Sequence, residues 1–139
     1  MSTTITQPNA VSQSTNGLFV IPDGQRDGFH ATIRGNELEL GDPASGHSLA
    51  PRPDDLLIMS IASACAWSAK RFLRARRLPD DVSVYAAWRT AEDSTLASVD
   101  VRVTVPNAAE SVSATLAAAL ENSAARSLNA PLRVSIRAV

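Results

Sequence analysis

Cysteine is nearly absent from this chain: Cys65 is the only one among 139 residues. One thiol cannot form an internal disulfide, which excludes the disulfide-stapled class of small secreted domains and fits a reducing compartment. A basic excess is missing as well, because 13 Lys and Arg residues face 14 Asp and Glu residues, a formal net charge of -1. Without a basic field, we expect no binding to nucleic acid or to an anionic membrane surface.

Signals for export, membrane insertion and metal binding are also missing. The segment from Met1 to Pro8 has no basic stretch followed by an apolar one, and we expect no apolar run of membrane-spanning length. His30 and His47 lie in different segments, with no cysteine or acid at metal-ligand spacing. The sequence therefore predicts a cytoplasmic protein with no membrane contact, no metal and no cofactor.

Hydrophobic alternation and turn residues predict a single α+β domain. Residues 1–16 are rich in Ser, Thr, Gln and Asn and predict a flexible tail, so the domain would span residues 17–139. Segments that alternate apolar and polar residues predict strands, and longer apolar segments predict helices. In chain order, we first predict strands at 18–21, 29–33 and 38–40, followed by a loop at 41–53. A helix then runs from Pro53 to about Arg77, and a hairpin of strands at 82–88 and 99–105 follows it. The chain ends with a helix opened by Asn107 and a strand at 132–138. The order is β-β-β-α-β-β-α-β.

The long predicted helix starts with acidic residues and continues with a core that is apolar nearly all round. Pro53 suits the first helical position, and Asp54 and Asp55 suit the positive end of the helix dipole. In the second helix Asn107 is the predicted cap, with Glu110 three positions on. The pattern predicts a first helix buried on most sides, with one face traced by Leu57, Ile61, Ala64, Trp67, Ser68 and Phe72.

Three short motifs are distinctive when taken together. They are a glycine-flanked arginine loop, Gly24-Gln25-Arg26-Asp27-Gly28; a helix start, Pro53-Asp54-Asp55-Leu56; and the triplet Arg126-Ser127-Leu128. With the order of elements, they resemble the OsmC/Ohr family of small cytoplasmic peroxidases, which use thiols to reduce organic hydroperoxides. The resemblance implies an intertwined homodimer with two long central helices packed against antiparallel sheets. It also implies an interface site made of a peroxidatic cysteine, an arginine, a glutamate and a resolving cysteine.

Carried over residue by residue, the resemblance points to Arg26, Asp54 and Cys65 as catalytic candidates. Asp54 is one methylene shorter than the glutamate usual in the family, and the family cysteine, ten residues after the first carboxylate, falls on Ala64 rather than Cys65. One residue is a rotation of about 100° around a helix. The resolving position falls on Asn122 or Ser123, so Ala64, Asn122 and Ser123 are the predicted lining of the pocket.

Three hypotheses remain open. In the first, the protein is a degenerate relative that keeps the interface pocket and binds a small hydrophobic or electrophilic molecule without turning over peroxide. In the second, a helix bulge brings Cys65 into the family position, and an external thiol regenerates it after it has reduced an organic hydroperoxide. In the third, the pocket serves another reaction through hydroxyl or amide groups, although no histidine is placed against a serine. The candidates there are Ser60, Ser63, Ser68, Asn122 and Ser123.

Each catalytic candidate also has a purely structural interpretation. Cys65 is a buried core thiol if it follows the usual behaviour of a lone cysteine in an apolar helix. Arg26 is a turn residue, and Asp54 stabilises the start of the helix.

Overall fold

A computed structural model describes residues 17–24, 28–41, 50–93, 95–124 and 131–139. Predictions about the tail at 1–16, about Arg26 and His47, about most of the loop at 41–53 and about the triplet at 126–128 lie outside the described residues. The chain falls into two compact units, with the boundary between Pro51 and Arg52.

The first unit contains an antiparallel meander, as the sequence predicts. Its strands are β1 (Phe19–Pro22), β2 (Phe29–Ile33) and β3 (Asn36–Leu40), in the order β1-β2-β3. Arg34 and Gly35 form the β2–β3 turn with φ angles of 50° and 77°, the positive values that a tight two-residue hairpin requires. The large apolar side chains of the meander are largely exposed: Leu18, Phe19, Val20, Ile21, Phe29 and Leu38.

The second unit places two α-helices against a three-stranded sheet. Its elements are α1 (Pro53–Ala75), β4 (Ser83–Thr90), β5 (Leu96–Val105), a 3₁₀ segment (Asn107–Val112), α2 (Ser113–Ala124) and β6 (Leu132–Ala138). Strand β5 pairs antiparallel with β4 and parallel with β6. The sheet is therefore mixed, because α2 carries the chain back across the sheet before β6 begins.

The core of this unit lies between the helices and the inner face of the sheet. Alternation in β5 buries Val99, Val101, Val103 and Val105 while the residues between them face the other way. The helices contribute apolar residues at helical spacing, and removing these side chains from water is the main stabilising term. They are Ile58, Ile61, Cys65, Ala69 and Leu73 from α1, with Leu116, Leu120 and Ala124 from α2.

The ends of α1 are fixed by local hydrogen bonds. At the start, the Arg52 N–H donates to Asp55 Oδ2 at 2.8 Å, and Pro53 occupies the first turn. At the end, the Leu78 N–H donates to the Leu73 carbonyl, and Arg77 adopts a φ of 57°. This is a Schellman ending, and it stops the α-helix at Ala75, two residues before the predicted end.

Two details of the predicted helices are wrong. Within the single chain, the buried face of α1 is centred on Cys65, whereas Leu57, Ala64 and Trp67 from the predicted face are exposed. Burial of the other sides of α1 depends on a second copy of the chain and stays a prediction. Asn107 does not cap α2, because it begins the 3₁₀ segment after Pro106, with no side-chain cap bond.

By length and composition, α1 is apolar enough to cross a membrane, with a mean hydropathy of 1.3. Core helices of folded domains also meet this criterion.

Candidate functional site

Helix α1 has one buried face and one exposed face, and the site residues predicted from the sequence lie on both. The inner face carries Cys65 into the core. The outer face carries residues separated by alternating steps of three and four, which places them in one row along the helix. We name this row the outer stripe: Leu57, Ser60, Ala64, Trp67 and Arg71, all of them exposed.

Cys65 lies deep in the core of the second unit. Its exposed fraction is 2%, and it packs with the valines of β5 and the leucines of α2. Burial raises the pKa of the Cys65 thiol above its ordinary value, because the apolar surroundings destabilise the charged thiolate. Burial therefore disfavours the thiolate, which is the form of cysteine that acts as a nucleophile.

Ala64, the position at which the family resemblance places the cysteine, lies in the middle of the outer stripe. Adjacent residues on an α-helix point about 100° apart. That rotation is enough to put Ala64 on the exposed face and Cys65 on the buried one. The helix is regular over Pro53–Ala75, every residue of which the structure describes, so it has no bulge that would move Cys65 outward.

The two aspartates at the start of α1, Asp54 and Asp55, have different surroundings. Asp55, rather than Asp54, makes the capping bond to the Arg52 backbone. Asp54 instead has a buried Oδ1 without a hydrogen-bond partner, 3.9 Å from Arg52 Nε. Among the described residues no hydrogen bond or ion pair joins Asp54 to Cys65. Sequence reasoning did not single out Arg52, because arginine is not among the residues that favour the N-cap position.

The predicted pocket residues on α2 face away from the core. Asn122 and Ser123 are exposed, whereas Leu120 and Ala124 on either side of them are buried. The Ser123 hydroxyl donates to the Leu120 carbonyl at 3.2 Å.

The serines of α1 show no sign of activation. Ser60 and Ser63 are exposed and Ser68 is half-buried. In the part of the chain that the structure describes, none of the three makes a side-chain hydrogen bond to a histidine or an acid. His30 Nε2 instead lies 2.7 Å from Asp23 Oδ2, in the first unit.

The family comparison agrees with this arrangement of elements. The model of the family described as OsmC-like protein matches residues 46–137. The chain belongs to the OsmC-like family. Nothing among curated proteins matches the sequence.

Solved structures of other OsmC-like and Ohr proteins share its fold. A protein of Psychrobacter arcticus named for osmotic stress induction and a detoxification response has a TM-score of 0.76 at 17% identity, over 92% of this chain and 100% of that one. The organic hydroperoxide resistance protein OhrB of Bacillus subtilis has a TM-score of 0.65 at 14% identity, over 89% and 98%. The organic hydroperoxide resistance protein OsmC of Legionella pneumophila has a TM-score of 0.64 at 17% identity, over 91% and 99%. These relatives confirm the α+β OsmC-like fold.

The burial of Cys65 predicts slow alkylation of the native protein. With iodoacetamide at pH 7.5, we expect Cys65 to react at least about 100-fold more slowly than in the urea-unfolded chain, the factor for a local opening of about 3 kcal/mol. Mass spectrometry of quenched time points measures both rates. Native labelling as fast as that of the unfolded chain would contradict the position of Cys65 in the core.

The same burial sets the sign of a pH effect on stability. Above the ordinary thiol pKa of about 8.5, the unfolded chain loses the Cys65 proton while the folded chain retains it. The free energy of unfolding should therefore fall as pH rises through this range, and a Cys65→Ala variant should lack this contribution to the slope.

Proposed function

We propose that this OsmC-like protein binds a small hydrophobic molecule in a pocket at a homodimer interface and does not reduce peroxide. It would be a degenerate relative of the thiol-dependent organic hydroperoxide reductases. The proposal rests on the difference in burial between two adjacent residues of α1. Cys65 is buried in the core, and the family position beside it is an exposed alanine, Ala64.

The chemistry of peroxide reduction explains why the burial of Cys65 and the exposure of Ala64 matter. A thiolate attacks the O–O bond, becomes a sulfenic acid and releases an alcohol, after which a second thiol forms a disulfide with the oxidised sulfur. The first step needs a thiolate that the peroxide can reach, and burial of Cys65 works against both conditions. The second step has no internal partner, since the chain has one cysteine.

The outer stripe supports the homodimer. Its spacing repeats as in a coiled-coil seam: Leu57 and Trp67 are its large apolar residues, the small side chains of Ser60 and Ala64 lie between them, and Arg71 ends the stripe. Leu57 is 43% exposed and Trp67 59% exposed in the single chain. Apolar side chains in one row on a helix favour an interaction surface, and small central residues let a second copy of α1 approach closely.

The same surface supports a hydrophobic ligand. Apolar groups of the outer stripe combine there with the hydroxyls of Ser60 and Ser63, a mixture typical of small-molecule pockets. Solved relatives from Bacillus subtilis and Legionella pneumophila are named for organic hydroperoxide resistance. Organic hydroperoxides and the alcohols derived from them are therefore the ligand class to test first, and a cytoplasmic location would suit a single reduced thiol.

A turnover assay tests the proposal. With cumene hydroperoxide and dithiothreitol, we expect the protein to consume peroxide no faster than a Cys65→Ser variant, because Cys65 does not meet the substrate. The ferrous–xylenol orange assay follows the peroxide, and circular dichroism confirms that both proteins are folded. In parallel, cumyl alcohol, the unreactive product, should change the fluorescence of Trp67, and a Trp67→Phe variant should lose that change.

Efficient turnover that disappears in Cys65→Ser would overturn the proposal and establish the one-cysteine peroxidase. If the protein shows neither turnover nor alcohol binding, the proposed hydrophobic pocket is wrong.

A further inference from the structure

The sheet face that points away from the helices carries an excess of positive charge. On this face the alternation of β4, β5 and β6 presents arginines and hydroxyl residues, while the inner face buries the valines. The face has one acid, Asp100, in a chain whose overall charge is -1. Its arginines make no ion pair with a described residue: Arg89, Arg102, Arg133 and Arg137.

Three of these arginines surround one serine. Arg102 is level with Ser135 on the neighbouring strand, and Arg133 and Arg137 lie two residues before and after Ser135 on β6. Neighbouring strands are about 4.8 Å apart and alternate residues about 6.6 Å apart, so the Cα of Arg102 is about 8 Å from that of each of the other two. We name this group the arginine triangle: Arg102, Arg133 and Arg137, all exposed.

We propose that the arginine triangle binds the phosphate group of a small phosphorylated compound, with the Ser135 hydroxyl as a fourth donor. Guanidinium groups match phosphate oxygens with paired charge-assisted hydrogen bonds, and clusters of arginine are the usual means of recognising phosphate groups. The Cα atoms of Arg133 and Arg137 are about 13 Å apart on β6, and each of the three side chains is long enough to reach a phosphate held above Ser135. Tyr85 lies on the other side of Arg102 and is 65% exposed, which gives a bound compound an aromatic surface beside its phosphate.

The distribution of charge favours a compact anion over a long polyanion. Asp100 lies beside Arg133 in the register, and Glu92 and Asp93 follow β4 at the turn beyond Arg89. The Asp93 carboxylate accepts from the Thr95 hydroxyl at 2.6 Å. A phosphate over the triangle has Asp100 as its one acidic neighbour and lies away from Glu92 and Asp93, whereas a chain of phosphates running along the strands toward Arg89 would meet all three carboxylates.

Calorimetry with pyrophosphate and with inorganic phosphate tests the site on the full chain at about 0.15 M salt. We expect pyrophosphate to bind more tightly than phosphate. Each of Arg102→Gln, Arg133→Gln and Arg137→Gln should weaken binding about tenfold, the effect of losing one charge-assisted hydrogen bond. The matched control Arg89→Gln removes the same charge from the same face outside the triangle and should change binding less than twofold.

Asp100→Asn supplies a test with the opposite sign. It removes the only carboxylate on the face, so it should tighten pyrophosphate binding several-fold without adding a contact. Thermal denaturation checks that each exposed substitution leaves the fold intact.

Equal weakening by Arg89→Gln and by the triangle variants would overturn the proposal, because it would show diffuse attraction instead of a site. No detectable pyrophosphate binding would overturn it as well, as would binding only to a single-stranded oligonucleotide or to vesicles containing phosphatidylserine. These results are independent of peroxide turnover, which concerns the other side of the second unit.

Discussion

A double substitution, Ala64→Cys with Asn122→Cys, should give the protein organic hydroperoxide reductase activity when Cys65 is replaced by serine in the same chain. The new thiol at residue 64 lies on the outer stripe, where the wild-type residue is exposed, and residue 122 is exposed on α2. Misplacement of a reacting group by about 1 Å can cost about 100-fold in rate, so moving the thiol to the reactive face should raise turnover by about 100-fold or more. Cumene hydroperoxide consumption with dithiothreitol measures this.

A matched control distinguishes placement from mere exposure of a thiol. Ser60→Cys with Asn122→Cys, also with Cys65→Ser, puts an exposed cysteine on the same stripe one turn earlier. It should stay near the background rate, because it does not occupy the family position. If both double variants gain equal activity, the register of Ala64 is irrelevant. If neither gains activity, the site lacks the positive charge that a thiolate needs, and the resemblance at Arg26 and Asp54 does not extend to function.

The second large effect concerns assembly. Trp67→Asp should raise the dissociation constant of the proposed homodimer by about 30-fold or more, since a carboxylate buried without a partner at an interface costs about 2 kcal/mol or more. Sedimentation velocity over a range of micromolar concentrations measures the constant for each protein.

Tyr85→Asp is the matched control for this substitution. Tyr85 is 65% exposed and Trp67 59%, so both changes replace an exposed aromatic residue with a carboxylate, but Tyr85 lies on the outer sheet face. The control should dimerise like the wild type. A folded wild-type protein that is monomeric at these concentrations would remove the dimer from the proposal, and equal weakening by both variants would place the interface elsewhere.

Much of the fold could be predicted because its elements have local signals. The strict alternation of Val99, Val101, Val103 and Val105 leaves one arrangement for β5, with the valines on a single buried face. Pro53 at the start of α1 and the tight turn at Gly35 likewise reflect backbone preferences of the residues themselves. The cap of α2 was predicted wrongly because Asn107 can also begin a 3₁₀ segment, and sequence does not distinguish the two.

The sequence could name the residues of the candidate site but not which of them face the core. Counting from Asp54 places the family cysteine at Ala64, one residue before the actual thiol. Counting alone does not say which of the two faces the core, because α1 is apolar on both sides and its hydrophobic pattern permits either rotation. The predicted face accordingly included Ala64 and Trp67, which are exposed.

By itself, the sequence determined that this protein is a one-cysteine OsmC-like chain with a β-β-β-α-β-β-α-β order and no second thiol to resolve an oxidised one. The tertiary structure decided the rotation of α1, because only packing against the valines of β5 selects the face that contains Cys65. It also decided that β6 returns parallel to β5, which brings Arg133 and Arg137 beside Arg102. Both results depend on contacts between residues distant in the chain, and local preferences do not encode such contacts.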